Sequence, residues 1–412
     1  MNAYAAVGPG GRVALTDLGG SINQSAGRLY NERTILSLIR QRRSLPKAEI
    51  ARLTGLSAQT VSVIINQLEA EGLLRRQSPQ RGRVGQPSVP ISLDPEGAFS
   101  FGMKLGRRSS DLILMDFCGT IRASLRETYP YPTPSRLQSF LDRGCRSLLM
   151  RLTAGQARRV RGLGVGAPFD LWSWEPEVGA PADVAASWRG FDIAAEIQRQ
   201  SPWPVQFCND ASAACAAELA FGENAQLQDF LYIFIGSFLG GGIVLNGSLY
   251  TGRSGNAGAL GSLPVPAPGH RLIRSASLYV LERMLAERGQ DPRLLWRSDD
   301  WSGLGPALDN WIEQAAEALA LACVAGISII DFQAVVIDGA FPDSVRTRLL
   351  EQVRARFERQ DRQGLTELKI LEGSIGPNAR AIGAASLPLL AGAAREPDPA
   401  FKERARQPAV SI

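Results

Sequence analysis

Residues 44–72 read SLPKAEIARLTGLSAQTVSVIINQLEAEG, and their apolar residues recur at helical spacing. The first half predicts a short helix with Ile50 and Leu53 inward, ended by Gly55. Ser57 is a typical N-cap for a second helix. The buried face of that second helix is predicted to consist of Val61, Ile64, Ile65 and Leu68. Two helices joined by a tight, glycine-containing turn form a helix-turn-helix unit.

The flanking segments predict the rest of a winged helix. Upstream, residues 33–43 (RTILSLIRQRR) have the spacing of a further helix. Its inward residues are predicted to be Ile35, Leu38 and Ile39. Downstream, residues 73–93 (LLRRQSPQRGRVGQPSVPISL) predict two short strands around a basic, glycine-containing loop. We therefore predict a winged helix-turn-helix domain at residues 28–90, preceded by a disordered tail at residues 1–27.

Positive charge is concentrated in this predicted domain. Between Arg28 and Pro90 there are eleven Lys or Arg residues and four acidic residues, a net charge of +7, whereas the whole chain carries +5. A basic block attached to a near-neutral body is typical of a module that binds a polyanion. The charge distribution therefore predicts double-stranded DNA as a partner.

The second helix of the unit is the predicted recognition helix, and the wing is the predicted contact to the DNA backbone. Amide side chains pair bidentately with adenine in the major groove, and guanidinium groups fit a narrow minor groove. The predicted DNA-contacting residues are Ser57, Gln59, Thr60, Ser62, Asn66, Arg75, Arg76, Arg81 and Arg83, with Val63 also on an outward position. The alternatives are a solvated polar helix face and, for residues 81–88, an interdomain linker.

Length and composition narrow the class of protein. At 412 residues, with 45% hydrophobic and 21% charged residues, the chain is expected to form two or more globular domains. The apolar run at residues 319–330 is too short to span a bilayer, and residues 1–20 lack the pattern of a signal peptide, so we expect a cytoplasmic protein. The five cysteines are scattered, and the single histidine, His270, has no cysteine within fifty residues. This predicts free thiols and no zinc site.

From about residue 95 onward the pattern predicts an α/β body. Eight strand-like runs alternate with helical stretches over the next 300 or so residues. The strand-like runs are FSFGMKL, DLILMDF, VRGLGVGAP, PVQFCND, FLYIFIG, GGIVLNG, FQAVVIDG and LKILEGS. Several end in glycine turns, which are the places where α/β sheets bind ligands.

Together these features resemble the ROK family, which groups bacterial sugar repressors with sugar kinases. The segments that carry the resemblance are RGRVGQPSVPISLDPEGAFSFGMKLG, GLGVGAP, FCNDASAACAAELAFG, GGGIVLNGSLYTGRSGNAGALG, VVIDG and GPNARAIGAA. The resemblance covers about residues 30–392. It implies an actin-like pair of α/β lobes with a ribonuclease H-like motif at residues 95–392, a flexible tail at 393–412, and a homodimer or tetramer.

Both phosphate-binding turns of the family's kinases are altered in this chain. Where ROK kinases have an aspartate-Gly-Gly-Thr-type turn, the chain has Lys104 followed by Leu-Gly-Arg-Arg. An ammonium group cannot hold the Mg²⁺ that phosphoryl transfer requires. The second turn, at residues 236–240, places Phe238 where the backbone would meet phosphate. The resemblance therefore predicts no catalytic residues, no cofactor and no ATP turnover.

The family's sugar site is only partly retained. Asn209-Asp210 matches the Asn-Asp pair whose aspartate deprotonates the sugar in the kinases, while Ala259 and Ser262 replace a glutamate and a zinc-binding histidine. The resemblance implies a ligand site made of Asn209, Asp210, Gly240, Gly241, Ala259 and Ser262, without metal. The alternative for Asp210 is a helix N-cap. The ligand is a different, sugar-like small molecule, or the pocket is vestigial.

Two other pairs of residues have competing interpretations. Trp172 and Trp174 are either an apolar platform for a sugar or cover for the hinge. Arg107 and Arg108 either bind an anionic effector or form surface ion pairs.

The sequence thus predicts a DNA-binding transcriptional regulator, a repressor of sugar-metabolism genes, whose kinase-like body binds an effector and forms the dimer. One rival is an ATP-dependent sugar kinase with an added DNA-binding domain. The other is a regulator without any effector, because folds are reused without their sites.

The basic loop generates the first testable prediction. Replacing Arg81 and Arg83 by Ala should weaken DNA binding and flatten its salt dependence by about one logarithmic unit per lost phosphate contact. The replacement Gln59→Ala should instead relax base preference at one position. Affinity measured from 50 to 300 mM salt on one duplex separates the two effects. Unchanged affinity in both variants would contradict the assignments of wing and recognition helix.

Overall fold

The computed structural model describes residues 24–79, 88–168, 181–188, 191–266 and 270–391. Several predictions fall on residues outside these ranges, namely those for Arg81, Arg83, Trp172, Trp174, most of the tail at 1–27 and the tail at 393–412. No helix in the described part of the chain is long and apolar enough to cross a membrane.

The amino-terminal domain is a winged helix-turn-helix, as the sequence predicts. Its elements are α1 (Gln24–Arg42), β1 (Ser44–Pro46), α2 (Lys47–Thr54), α3 (Ala58–Ala70), β2 (Leu74–Arg76) and β3 (Pro90–Leu93). The strands form one antiparallel sheet in the order β1-β3-β2, with Leu74 opposite Leu93 in the wing hairpin. The first helix begins at Gln24, within the stretch predicted as tail.

Local signals explain the helix-turn-helix. Gly55 ends α2 in the left-handed conformation with φ 70°, which a glycine adopts without strain. Ser57 caps α3, because its Oγ accepts a hydrogen bond from the backbone N–H of Thr60 at 3.1 Å. The prediction for Leu53 is wrong, since this side chain is 39% exposed while Ile50 is fully buried. Three residues turn a helix by 300°, so Leu53 projects about 60° away from the buried face.

The body consists of two lobes built on sheets of identical topology. Lobe 1 contains β4 (Phe99–Leu105), β5 (Ser109–Asp116), β6 (Ile121–Thr128), β7 (Val160–Ala167) and β8 (Val205–Asn209). Lobe 2 contains β9 (Phe230–Ile235), β10 (Leu239–Leu245), β11 (Ser248–Tyr250), β12 (Ala334–Gly339) and β13 (Lys369–Glu372). The orders are β6-β5-β4-β7-β8 and β11-β10-β9-β12-β13. In each sheet the first three strands are antiparallel and the last two run parallel to the central one. This repeat confirms the predicted actin-like pair with its ribonuclease H-like motif.

The helices of the body cover the faces of these sheets. They are α4 (Pro134–Leu149), α5 (Ala154–Ala157), α6 (Ala182–Trp188), α7 (Ile193–Gln200), α8 (Asp210–Phe221), α9 (Ile273–Ala276), α10 (Leu278–Glu287), α11 (Leu294–Arg297), α12 (Pro306–Ile327), α13 (Asp343–Phe357) and α14 (Ala379–Ala391). The apolar core of the winged helix is continuous with that of the body. The recognition helix is therefore part of one packed molecule.

Two helices, α8 and α14, form the seam between the lobes. Helix α8 packs on the sheet of lobe 2, α14 packs on the sheet of lobe 1, and the two pack on each other. A Cβ added to Gly383 would lie 1.7 Å from the carbonyl oxygen of Ala213, and one added to Gly164 would lie 1.7 Å from that of Ala384. Both contacts are with backbone, which cannot move aside as a side chain can. Glycine is therefore required at Gly383, where α14 contacts α8, and at Gly164, where α14 packs on β7 of lobe 1.

The seam gives the second prediction. Gly383→Ala should lower the free energy of unfolding by about 2 kcal/mol or more because of overpacking, although alanine alone favours a helix by about 1 kcal/mol. The midpoint of urea denaturation measures the change. Gly303→Ala is the matched control, since its added Cβ would meet nothing within 4 Å. Equal midpoints for both variants would contradict the close contact.

Candidate functional site

The recognition helix α3 presents the predicted polar residues on its outer side. Gln59 and Asn66 are exposed, and Ser62 is half-buried. Two of the predicted DNA contacts also stabilise the helix start, because the hydroxyl groups of Ser57 and Thr60 lie 2.9 Å apart. Ser57 is therefore both a cap and a candidate contact.

Neighbouring charges hold two further predicted contacts in place. The ammonium of Lys47 donates to Oδ1 of Asn66 at 2.9 Å. Arg76 donates to both carboxylate oxygens of Glu69, at 2.8 and 3.0 Å, and this hydrogen bonding lowers the pKa of Glu69. The charge of Arg76 is thus compensated by Glu69. Both Arg75 and Arg76 are exposed on strand β2. Lys47 was not among the residues predicted from sequence.

A cavity of about 640 Å³ lies between the lobes. All six residues of the predicted ligand site line it: Asn209, Asp210, Gly240, Gly241, Ala259 and Ser262. The two glycines also serve packing, since a Cβ at Gly240 would lie 2.7 Å from Cβ of Ala211 and one at Gly241 would lie 2.5 Å from the oxygen of Tyr232. The cavity is lined by four arginines, Arg107, Arg271, Arg274 and Arg380.

Asn209 and Asp210 make different contacts at the start of α8. Asn209 is the N-cap, because its Oδ1 accepts from the backbone N–H groups of Ala211 and Ser212 at 3.0 and 3.3 Å. The alternative of Asp210 as the cap is therefore wrong. Asp210 is instead paired with Arg380, whose Nη1 donates to its Oδ2 at 3.2 Å.

Arg380 was missed by sequence reasoning, although it lies inside one of the motifs. Its guanidinium lies 4.9 Å from the ring centroid of Phe234, and its Nε is buried without a hydrogen-bond partner in the described part of the chain. It also lines a second cleft of about 1050 Å³ on the side of the phosphate turns. The carboxylate that acts as base in ROK kinases therefore faces a fixed positive charge here.

Lys104 is locked inside lobe 1. Its ammonium donates to the carbonyl oxygen and Oγ of Ser109, at 3.1 and 2.9 Å, and to Oδ2 of Asp111 at 3.0 Å. Burial lowers the pKa of Lys104 to about 8. Burial opposes ionisation of Asp111, but the charges of Lys104 and Arg126 lower its pKa to about 2. All three ammonium protons are thus used within the turn.

Arg107 links the two lobes. It is buried, unlike the exposed side chain that the sequence suggested, and its Nη1 donates to Oε2 of Glu282 in lobe 2 at 2.8 Å. Its guanidinium also lies 4.7 Å from the ring centroid of Tyr279 and 5.8 Å from that of Phe238. Arg108 is half-exposed and lies 3.7 Å from Oε1 of the same glutamate. The two altered phosphate turns therefore contact each other through Arg107 and Phe238, and the ion pair with Glu282 joins the first turn to α10.

The winged helix is joined to the body at Arg40, near the end of α1. Its guanidinium lies 5.4 Å from the ring centroid of Phe117 and 5.6 Å from that of Phe221. Burial lowers the pKa of Arg40 to about 10. Phe221 is the last residue of α8, the helix that begins at the cavity. One helix therefore connects the cavity to the DNA-binding domain.

No three His, Cys, Asp or Glu side chains of the described residues come together as metal ligands would. His270 is exposed.

Family models match both parts of the chain. The ROK family model matches residues 100–275, and the MarR family model matches residues 29–83. The chain therefore carries a ROK family domain joined to a MarR-type winged helix. This agrees with the observed topology of the two lobes and of the wing.

Two curated proteins are similar to this chain over more than half of their length. The xylose repressor of Bacillus subtilis is 22% identical over 374 residues, which cover 89% of this chain and 96% of the repressor. The DNA-binding transcriptional dual regulator NagC of Escherichia coli is 23% identical over 269 residues, 64% of each chain. These relatives are transcriptional regulators by name.

Two solved structures share the fold of the ROK domain. A ROK family transcriptional regulator, a homologue of the E. coli MLC protein, matches with a TM-score of 0.62 at 20% identity, covering 89% of this chain and 96% of that one. A ROK family glucokinase from Streptomyces griseus, in complex with glucose and AMPPNP, matches with a TM-score of 0.55 at 21% identity, covering 70% and 99%. Only the fold follows from these two likenesses.

The buried Lys104 of the ROK domain gives a pH-dependent prediction. Below pH 8 this lysine is protonated in both the folded and the unfolded chain. Between pH 8 and 10.5 the folded chain releases the proton and the unfolded chain keeps it, so the free energy of unfolding rises with pH. Relative to Lys104→Met, the wild type should gain up to about 3 kcal/mol over this interval.

Urea denaturation of both proteins from pH 7 to 10.5, with a reductant present, measures this difference. Comparing the two chains cancels the titration of the tyrosines and cysteines, which both contain. If the difference in free energy of unfolding between wild type and Lys104→Met stays constant from pH 8 to 10.5, the burial of a charged Lys104 is contradicted.

Proposed function

We propose that this protein is a DNA-binding transcriptional repressor of sugar-metabolism genes, whose ROK domain binds an effector and does not catalyse. The observation that carries the proposal is the winged helix packed on the ROK domain through one continuous apolar core. The names of the relatives, xylose repressor and NagC among them, support the same function. The repressor acts in the cytoplasm, where its DNA lies.

The contacts of the phosphate turns support the absence of catalysis. Phosphoryl transfer needs a metal to neutralise developing charge and a free carboxylate to accept the sugar proton. Lys104 donates all its protons within lobe 1, and Asp210 is paired with Arg380. Arg107 of the first turn is paired with Glu282, and its guanidinium lies 5.8 Å from the ring centroid of Phe238 in the second turn. Neither requirement of the kinase reaction is met by these side chains.

The cavity between the lobes is the proposed effector site. A sugar-like molecule would contact Asn209, Asp210, Gly240, Gly241, Ala259 and Ser262. A volume of about 640 Å³ is within the range of small-molecule sites. Arginine donors around the rim can bind hydroxyl or acidic groups of such a molecule. The effector-independent rival does not account for a cavity of this size at the family's sugar position.

Helix α8 is the proposed connection between effector and DNA. Its first turn lines the cavity, and its last residue, Phe221, contacts Arg40 of the winged helix. A ligand that binds differently to two positions of α8 would shift the winged helix with it. In a homodimer this movement changes the separation of two recognition helices, which must match half-sites about 34 Å apart.

A titration of sugars into the protein–DNA complex tests the function. We expect the full-length protein to bind duplexes from its own genome with a steep salt dependence, and one of xylose, glucose or N-acetylglucosamine to weaken the binding at constant salt. Fluorescence anisotropy measures the affinity, and calorimetry measures sugar binding. Phosphorylation of a sugar by ATP, abolished by Asp210→Asn, would establish the kinase rival instead.

The joint between the winged helix and the body is formed by Arg40 with Phe117 and Phe221. A variant of this joint provides the internal control for the sugar titration. Phe221→Leu removes the ring beside the guanidinium and keeps an apolar side chain, so the sugar should still bind while its effect on DNA affinity shrinks. Phe357→Leu, in the core of lobe 2, is the matched variant that leaves the joint intact. An unchanged sugar effect in the Phe221 variant would contradict the role of α8. A protein that binds DNA but responds to no sugar would support the effector-independent rival.

A further inference from the structure

Val63 is the exception among the valine, leucine and isoleucine residues of the recognition helix. Its neighbours Val61, Ile64 and Ile65 are at most 3% exposed, whereas Val63 is 57% exposed. Valine is also a weaker helix former than the polar residues that normally cover an outer helix face. Neither packing nor helix propensity explains an exposed valine at this position.

Val63 lies in the middle of a row of exposed side chains. Gln59, Val63 and Asn66 follow the spacing i, i+4, i+7, which places them on one face of α3, and all three are exposed. Seven residues of helix rise about 10.5 Å. This length equals about three base-pair steps of 3.4 Å, so the row spans four neighbouring base pairs in a major groove.

Lys47 fixes the direction of the last amide in the row. An ammonium group can only donate hydrogen bonds, so the atom of Asn66 that lies 2.9 Å from it is the acceptor Oδ1. The Nδ2 group of Asn66 is then directed away from Lys47 as a donor. The row therefore presents an amide, an apolar branch and a hydrogen-bond donor in sequence.

Among the base edges in the major groove, only thymine offers an apolar group, its C5-methyl. We propose that Val63 contacts a thymine methyl and thereby specifies a T·A pair at an inner position of the four base pairs facing α3. The inference rests on the proposed DNA-binding function and adds the chemistry of one recognised position. Gln59 and the donor of Asn66 contact the base pairs on either side.

Replacing thymine by uracil in the operator tests the inference, because uracil lacks only the methyl group. Duplexes are first selected from a random pool with the full-length protein, and the consensus is synthesised with each thymine replaced in turn. At one position of each half-site the wild type should bind about fourfold more weakly, the loss expected for one buried methyl group. Anisotropy at fixed salt gives the affinities.

Two variants distinguish the role of Val63 from general weakening. Val63→Ala, which favours the helix, should bind the thymine and uracil duplexes equally. Gln59→Ala is the control on the same face and should keep the fourfold difference while losing affinity overall. Circular dichroism and the midpoint of thermal unfolding verify that both variants are folded.

The possible failures are separable. A consensus without thymine, a wild type indifferent to every uracil replacement, or a Val63→Ala variant that keeps the difference would each overturn the inference while leaving DNA recognition intact. A protein that selects no sequence and binds no duplex at low salt would overturn the proposed function, and the role of Val63 with it.

Discussion

The backbone contact between α8 and α14 determines where the two lobes lie. Gly383 faces the carbonyl oxygen of Ala213, and Gly164 faces that of Ala384, at distances that exclude even one methyl group. Each helix packs on the sheet of one lobe, so this seam joins the two lobes. Close-packed contacts of this kind change between discrete arrangements and do not deform smoothly. A two-lobed body with such a seam is suited to switching.

The same frame can serve a kinase or a regulator, and the charges in the cleft decide between the two. At Lys104 a cation occupies the place of a metal-binding carboxylate, and burial lowers its pKa to about 8 because water no longer solvates the charge. Arg380 pairs with Asp210, and Arg107 pairs with Glu282 across the lobes. These ion pairs compensate the charges of the cleft within the protein itself. In the proposed function, the fold keeps its cleft and uses it for binding instead of phosphoryl transfer.

Local sequence signals made the winged helix and most strands predictable. The candidate site was only partly predictable, because its contacts join residues far apart in the chain. The cap at Ser57 and the left-handed glycine at Gly55 act within four residues of the chain. Strand β6 was not predicted, although Ile121, Ala123 and Leu125 alternate with polar residues as in a half-buried strand. The contact of Arg380 with Asp210 joins residues 170 positions apart, which no local pattern reveals. The family motif predicted the cavity residues, and their partners are visible only in the folded structure.

The joint at Arg40 explains how a cavity inside the ROK domain can act on a helix outside it. A buried guanidinium is costly to desolvate, and contact with the faces of two aromatic rings offsets part of that cost. Such a contact depends on ring position, because the attraction falls off beyond about 6 Å. A shift of Phe221 therefore changes the free energy of the joint itself. Since α1 leads directly into β1 and the recognition unit, the winged helix must follow α8 or lose this contact.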